Sequence, residues 1–287
     1  MNKIVYRIKP NKNTIRMISK IMMFLFMATI TLVVLYPIFF VFVTSIREYA
    51  FIVANPFGFD GIRIENYADA WQRSNFYLYF MNSVTVSGLA IVSQLLLVAL
   101  FSFAIGTLRF KGSNIVLFMI MSTMFITGEI TSIPLFLLFR EMNILNTLFA
   151  LIIPATLGPN AVGVLLGSNY LKKIPKELHE AAIIDGASIP KIFWYIDLPL
   201  LKPILGLVAI MTFQGVWSDF LWPLITVIGN QAAYTLPLGL INFQSQNNAD
   251  FGILAAGLVI LTIPILIVYI SSSKHFINGV AAGAVKG

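Results

Sequence analysis

The residues of this chain that could do chemistry or recognition fall into a few groups. The run from His179 to Pro203, HEAAIIDGASIPKIFWYIDLPLLKP, is polar in a sequence that is otherwise mostly hydrocarbon. Glu180 and Asp185 offer charge to a basic partner. Ala181, Ala182 and Ala187 keep the segment slim, so that a cleft in another protein could close on it. A second group is acidic: Glu129 beside Thr127, Gly128, Thr131 and Ser132, and Asp219 between Trp217 and Trp222. An ionisable side chain in an apolar span is expensive unless it faces protein, water or a pore. Proton or sodium coupling through Glu129 would exploit that position, but either a helix interruption near the closed gate or a snorkelling side chain suits it better. Asp219 is equally open, because Trp217 and Trp222 also fit an interfacial aromatic belt. The third group is Asn242, Phe243, Gln244, Ser245, Gln246 and Asn247, amides around an aromatic ring that suit sugar hydroxyls and a sugar face.

Other chemistry is excluded. With no cysteine, thiolate metal sites, disulfides and cysteine nucleophiles are absent. The two histidines, His179 and His275, are far apart and lack acidic or cysteine companions at metal-ligand spacing, so both are expected to be solvated or interfacial. No G-x-x-x-x-G-K-[ST] phosphate loop occurs, so any ATP site must lie on another polypeptide. The formal charge of +7 is dispersed between apolar runs, which points to membrane topology and not to nucleic acid.

The elements that must position these residues are transmembrane. A 287-residue chain that is 58% hydrophobic and only 11% charged is too apolar for a soluble domain. The basic stretch 1–20 precedes an uncharged run longer than a signal-peptide core of about 7–15 residues, so it is read as a cytoplasmic terminus before a retained span. Six spans are expected at about 21–46, 79–108, 113–139, 143–171, 203–228 and 251–273, with a cytoplasmic tail at 278–287. In that orientation only Arg47, Arg63, Arg73 and Arg140 of the 19 basic residues fall outside. The hairpin, 175–200, then lies inside. Pro175-Lys176-Glu177 suits a first helical turn, Asp185-Gly186 supplies a stop, and Ser188 with Pro190 can open a second helix. Gly163-x-x-x-Gly167 would let the fourth span approach a neighbour closely.

These residues carry a resemblance. Glu180-Ala181-Ala182, Gly186 and Ile196-x-Leu198-Pro199 match the EAA loop of the membrane subunits of ATP-binding-cassette importers at each consensus position. The longer pattern through Asp185-Gly186-Ala187, Phe193 and Leu198-Pro199-Leu200 resembles the carbohydrate permeases of the maltose-importer type. So do Asn82-Ser83, Arg109-Phe110-Lys111-Gly112, Ile133-Pro134-Leu135-Phe136, Trp222-Pro223-Leu224 and the closing 279–287. The chain departs at Thr127, where such permeases often carry proline, and at Ser218-Asp219, where they often carry Asn-Glu. The resemblance implies an all-α membrane protein of six spans with a cytoplasmic helix-turn-helix coupling loop. It implies a second, homologous permease as partner, two ATPase subunits carrying ATP and Mg, an extracytoplasmic solute-binding protein, and a carbohydrate as cargo. Glu180, Ala181, Ala182, Asp185, Gly186, Ala187, Leu198 and Pro199 would then couple to the ATPase, with Glu180 its ionic contact. Asn242 to Asn247 would serve binding-protein docking or substrate release, and Thr127, Glu129, Trp217 and Asp219 the pathway or gate. No catalytic residue and no metal is expected in the chain. An ion-coupled secondary transporter using Glu129 is the rival reading.

Overall fold

The computed structural model describes residues 12–72, 75–243 and 250–284. Among these the chain is helical, and the one β feature is an isolated bridge between Arg47 and Ile62. Among the described residues five helices are long and apolar enough to cross a membrane: Arg16–Ser45, Phe76–Leu108, Phe149–Lys172, Ile189–Trp217 and Phe251–Ser271. The pair Ser113–Phe125 and Gly128–Glu141 qualifies jointly but is bent by 94°.

The helix Phe76–Leu108 is the axle. It packs against the helices Ala161–Lys172 and Leu198–Trp217 and carries Val86, Ala90, Val98 and Ala99 into the core. The first helix, Lys12–Ser45, does the opposite. Met22, Phe24 and Leu32 are exposed on different sides of it, as in a helix whose solvent is lipid, and it packs on the last helix, Phe251–Ala284. That last helix continues through part of the stretch expected as a tail.

Breaks in the apolar helices are repaired by neighbours, since a backbone group freed inside a membrane must find a partner within the protein. Between Phe149–Thr156 and Ala161–Lys172 the chain opens at Leu157, and Gly158 adopts φ +77. Asn160 caps the new helix by accepting from the Gly163 amide at 2.8 Å. Gln94 of the axle donates from Nε2 to the Gly158 carbonyl at 2.7 Å and accepts from the Asn160 amide at 2.8 Å. Ser93 donates to the Thr156 carbonyl at 2.6 Å. Just beyond the break, Gly163 approaches Val98 and Val208, and Gly167 approaches Ser102, so the spaced glycines do bring three helices together.

The third apolar run, expected as one span over 113–139, is interrupted. Ile126 and Thr127 take extended backbone, and a new helix opens at Gly128 with Glu129 in its first turn. A carboxylate is far better tolerated at the positive end of a helix than midway along an apolar one. The fifth span also differs from expectation. It starts at Ile189, not near 203, and ends at Trp217, after which Leu221–Val227 is a separate short helix.

Candidate functional site

The hairpin is built as its residues direct. Its first arm is Lys176–Ile184, and the arm closes in a Schellman turn. The Ala187 amide donates to the Ala182 carbonyl at 2.9 Å, the Gly186 amide donates to that of Ile183 at 3.0 Å, and Gly186 takes φ +80. Ser188 stands at the N-cap of the second arm with Pro190 in its first turn, but its side chain makes no capping bond. The second arm is not a separate short helix. Ile189–Ile192 runs through a π-helical turn, Phe193–Asp197, straight into Leu198–Trp217. Leu198-Pro199, read from sequence as a link between hairpin and span, therefore lies inside one continuous helix. Proline lacks an amide hydrogen and displaces the carbonyl one turn back, and the wider π turn lies where that relief is needed.

Glu180, Ala181, Asp185 and Gly186 are exposed, and Ile183, Ile184 and Ile189 are exposed with them at 60%, 85% and 57%. Ala182 and Ala187 face inward and pack beside Phe103, Leu171, Phe193 and Leu201. The hairpin thus sits on the bundle by its small residues and leaves a surface of isoleucines and carboxylates.

Sequence reasoning missed the residue that fastens it. His179 is neither solvated nor without an acidic companion. Its Nε2 lies 3.0 Å and 3.2 Å from the carboxylate oxygens of Asp197, which is fully buried. The imidazole and the carboxyl group are thus joined by a hydrogen bond through Nε2. Thr107, in the π-helical turn Ala104–Leu108 that ends the axle, donates to the same carboxylate at 3.3 Å. The usable signal was the 18-residue separation across the Gly186 turn, about 27 Å along a single helix at 1.5 Å per residue but within reach of the two arms of a hairpin.

Glu129 and Asp219 face the same space. Both line a cavity of about 410 Å³, with Thr131, Ser132, Trp222 and Thr235 supplying further polar groups. The Thr235 hydroxyl at its wall is buried and has no hydrogen-bond partner among the described residues. Asp219, past the end of the fifth span, accepts from the Trp222 amide at 3.3 Å and so caps the short helix Leu221–Val227. Burial pushes its carboxyl above the ordinary range, against the opposing pull of the Trp222 and Leu221 amides. Thr127 stands at the bend, at the N-cap of the helix that carries Glu129. Trp217, grouped with the pathway on sequence, is instead 2% exposed and donates to the Leu261 carbonyl at 3.1 Å, tying the fifth span to the last.

The outer loop needs a similar correction. Asn242 donates to the Tyr79 hydroxyl at 2.9 Å, and the Phe243 ring is buried against Phe76 with centroids 5.3 Å apart. These two residues anchor the loop inward. Asn82 and Ser83 help by bonding Ala232, Tyr234 and Leu236 at 2.8 to 2.9 Å. Gln244, Ser245, Gln246 and Asn247 lie outside the described residues.

The described residues thus form a bundle of apolar helices around an axle, with a helical hairpin continuous with one span. It matches a chain of the crystal structure of a bacterial ABC transporter involved in the import of the acidic polysaccharide alginate, with a TM-score of 0.81, covering 93% of this chain and 100% of that one at 24% identity. No family model matches the sequence. Over 223 residues it is 33% identical to a probable ABC transporter permease protein of Bacillus subtilis, YurM, covering 78% of this chain and 74% of that one. Over 212 residues it is 36% identical to the arabinooligosaccharides transport system permease protein AraQ of Halalkalibacterium halodurans, covering 74% and 75%. The galactooligosaccharides transport system permease protein GanQ of Bacillus subtilis is 33% identical over 210 residues. The chain belongs to the sugar permease subunits of ATP-binding-cassette transporters, and is a multi-pass membrane protein.

Proposed function

We propose that this chain forms half of the translocation pathway of an ATP-driven, binding-protein-dependent importer, with an oligosaccharide or glycoside as cargo. The bent pair Ser113–Phe125 and Gly128–Glu141 counts as one span, which makes six with both termini cytoplasmic. A second, homologous permease completes the pathway. Two ATPase subunits bind ATP and Mg, and a solute-binding protein delivers sugar from the outer side. The chain itself catalyses no covalent step.

The observation that carries this reading is the hairpin. Exposed Ile183, Ile184 and Ile189 beside Glu180 and Asp185 suit a protein cleft, and the second arm, which starts at Ile189, is itself the beginning of the 29-residue helix Ile189–Trp217, a lever of about 43 Å at 1.5 Å per residue. Closure of the ATPase pair would move the hairpin and tilt that lever as a rigid body. Glu180, Ala181, Ala182, Asp185, Gly186 and Ala187 form the docking turn, while Leu198 and Pro199 lie within the lever. Glu129, Thr127 and Asp219 are the chain's polar contribution to the pathway, at the cavity and its bend.

The test is ATP hydrolysis by the reconstituted complex, comparing the native chain with a Glu180→Ala, Gly186→Pro double variant. Loss of the stimulation given by binding protein plus an arabino- or galacto-oligosaccharide, or loss of the ATPase subunits, is the expected result. Native hydrolysis and uptake by the variant would remove the hairpin from the coupling path.

A further inference from the structure

The apolar seat of the hairpin consists largely of Ala182 and Ala187 against Phe103, Phe193 and Leu201. Such contacts are non-directional, and small side chains interlock weakly, so this seat alone would let the first arm slide under load. A hydrogen bond is directional, and a buried carboxylate holds its partners strongly because nothing else there can solvate it. His179 of the first arm, Asp197 at the start of the lever and Thr107 at the end of the axle meet on one such carboxylate. Asp197 and Thr107 each sit in a π-helical turn, and those are the only π-helical turns among the described residues. π turns recur where a helix is modified for a function. Arg109, Lys176 and Glu180 line the small cavity beside this junction, together with His179 and Thr107. Movement of the first arm therefore has a directional route into the lever, through Asp197, and into the axle, through Thr107.

We infer that His179 is a positioning residue for coupling: its bond to Asp197 is the joint that carries motion of the docked hairpin into the second and fifth spans. This rests on the importer reading above. It differs from docking, because His179 would be dispensable for holding the ATPase subunits and required for the first arm to move as one body with the lever and the axle.

The chain has no cysteine, so a Gly215→Cys substitution places a unique thiol on it at the wall of the cavity, where an added Cβ meets nothing within 4 Å. In the full reconstituted complex, with the partner subunits free of reactive cysteines, the rate of maleimide labelling at that thiol is compared with and without a non-hydrolysable ATP analogue and Mg. On the otherwise native background the analogue is expected to change the rate about 5-fold or more, the scale of an ordinary allosteric coupling. Adding His179→Ala should reduce that response to less than about 2-fold while the ATPase subunits still co-purify and hydrolyse ATP. His179→Gln, whose amide can donate to Asp197, should restore most of it. A full response with His179→Ala would overturn the joint, and so would loss of the ATPase subunits, which would make the pair part of the docking surface. If the native background shows no response to nucleotide, the importer coupling itself fails, and the joint with it.

Discussion

Replacing Gln94 tests the repair of the broken fourth span. Its amide bonds two backbone groups at the two sides of the break, the Gly158 carbonyl and the Asn160 amide, and the residue is 8% exposed. Gln94→Leu keeps the volume and removes both bonds. Hydrogen bonds between helices in membrane proteins average about 0.6 kcal/mol, and a polar group left buried without a partner loses about 1–3 kcal/mol. Together these place the loss at about 2–4 kcal/mol, a fall on the order of 10 °C in the thermal midpoint. Gln94→Glu should fall between, since the apolar span keeps its carboxyl protonated, able to donate to Gly158 and accept from the Asn160 amide, at the cost of holding off ionisation. Ser93→Ala, which removes one bond to Thr156, should cost less than Gln94→Leu. The assay is thermal unfolding of the purified permease in detergent. A Gln94→Leu midpoint at or above the native one would refute the reasoning, showing that apolar packing outweighs satisfaction of the break.

Glycine tolerance should divide by helix face. A Cβ at Gly163 would lie 2.5 Å from a Val208 methyl, so Gly163→Ala is expected to lose about 1–3 kcal/mol, whereas Gly206→Ala, with nothing within 4 Å, should be neutral or slightly stabilising in the same unfolding assay. Arg47 is 1% exposed and donates to the carbonyls of Phe51, Asn55, Pro56 and Asp60 at 2.8 to 3.2 Å. Arg47→Lys cannot span them, and limited proteolysis should cut the 49–60 segment about tenfold faster or more, the size of a loss of about 1.4 kcal/mol or greater. Trp217→Phe preserves stacking on Phe213 but drops the bond to Leu261, and should lower stability by about 1 kcal/mol, read as a midpoint shift.

Composition and apolar run length were enough for a helical membrane protein, the local residue types placed the hairpin's turn at Asp185-Gly186, and the permease reading came from the resemblance that Glu180 to Pro199 carries. Those features are local: a bilayer demands long apolar helices, and a glycine at φ +80 ends a helix wherever it stands. The bend at Ile126 and Thr127 was partly legible, because Thr-Gly-Glu inside an apolar run is a helix-start signal that the run's hydrophobicity masked. Tertiary structure alone decided the rest. Glu129 and Asp219 share a cavity, Phe243 turns into the core, and His179 finds Asp197, each through contacts between helices that no local period records. The same holds for Gln94, whose polar amide in an apolar helix looks anomalous until the break in another span supplies the two backbone groups it satisfies. In a membrane a polar side chain is kept where a neighbouring helix leaves backbone unpaired, and the neighbour's identity is a property of the packing.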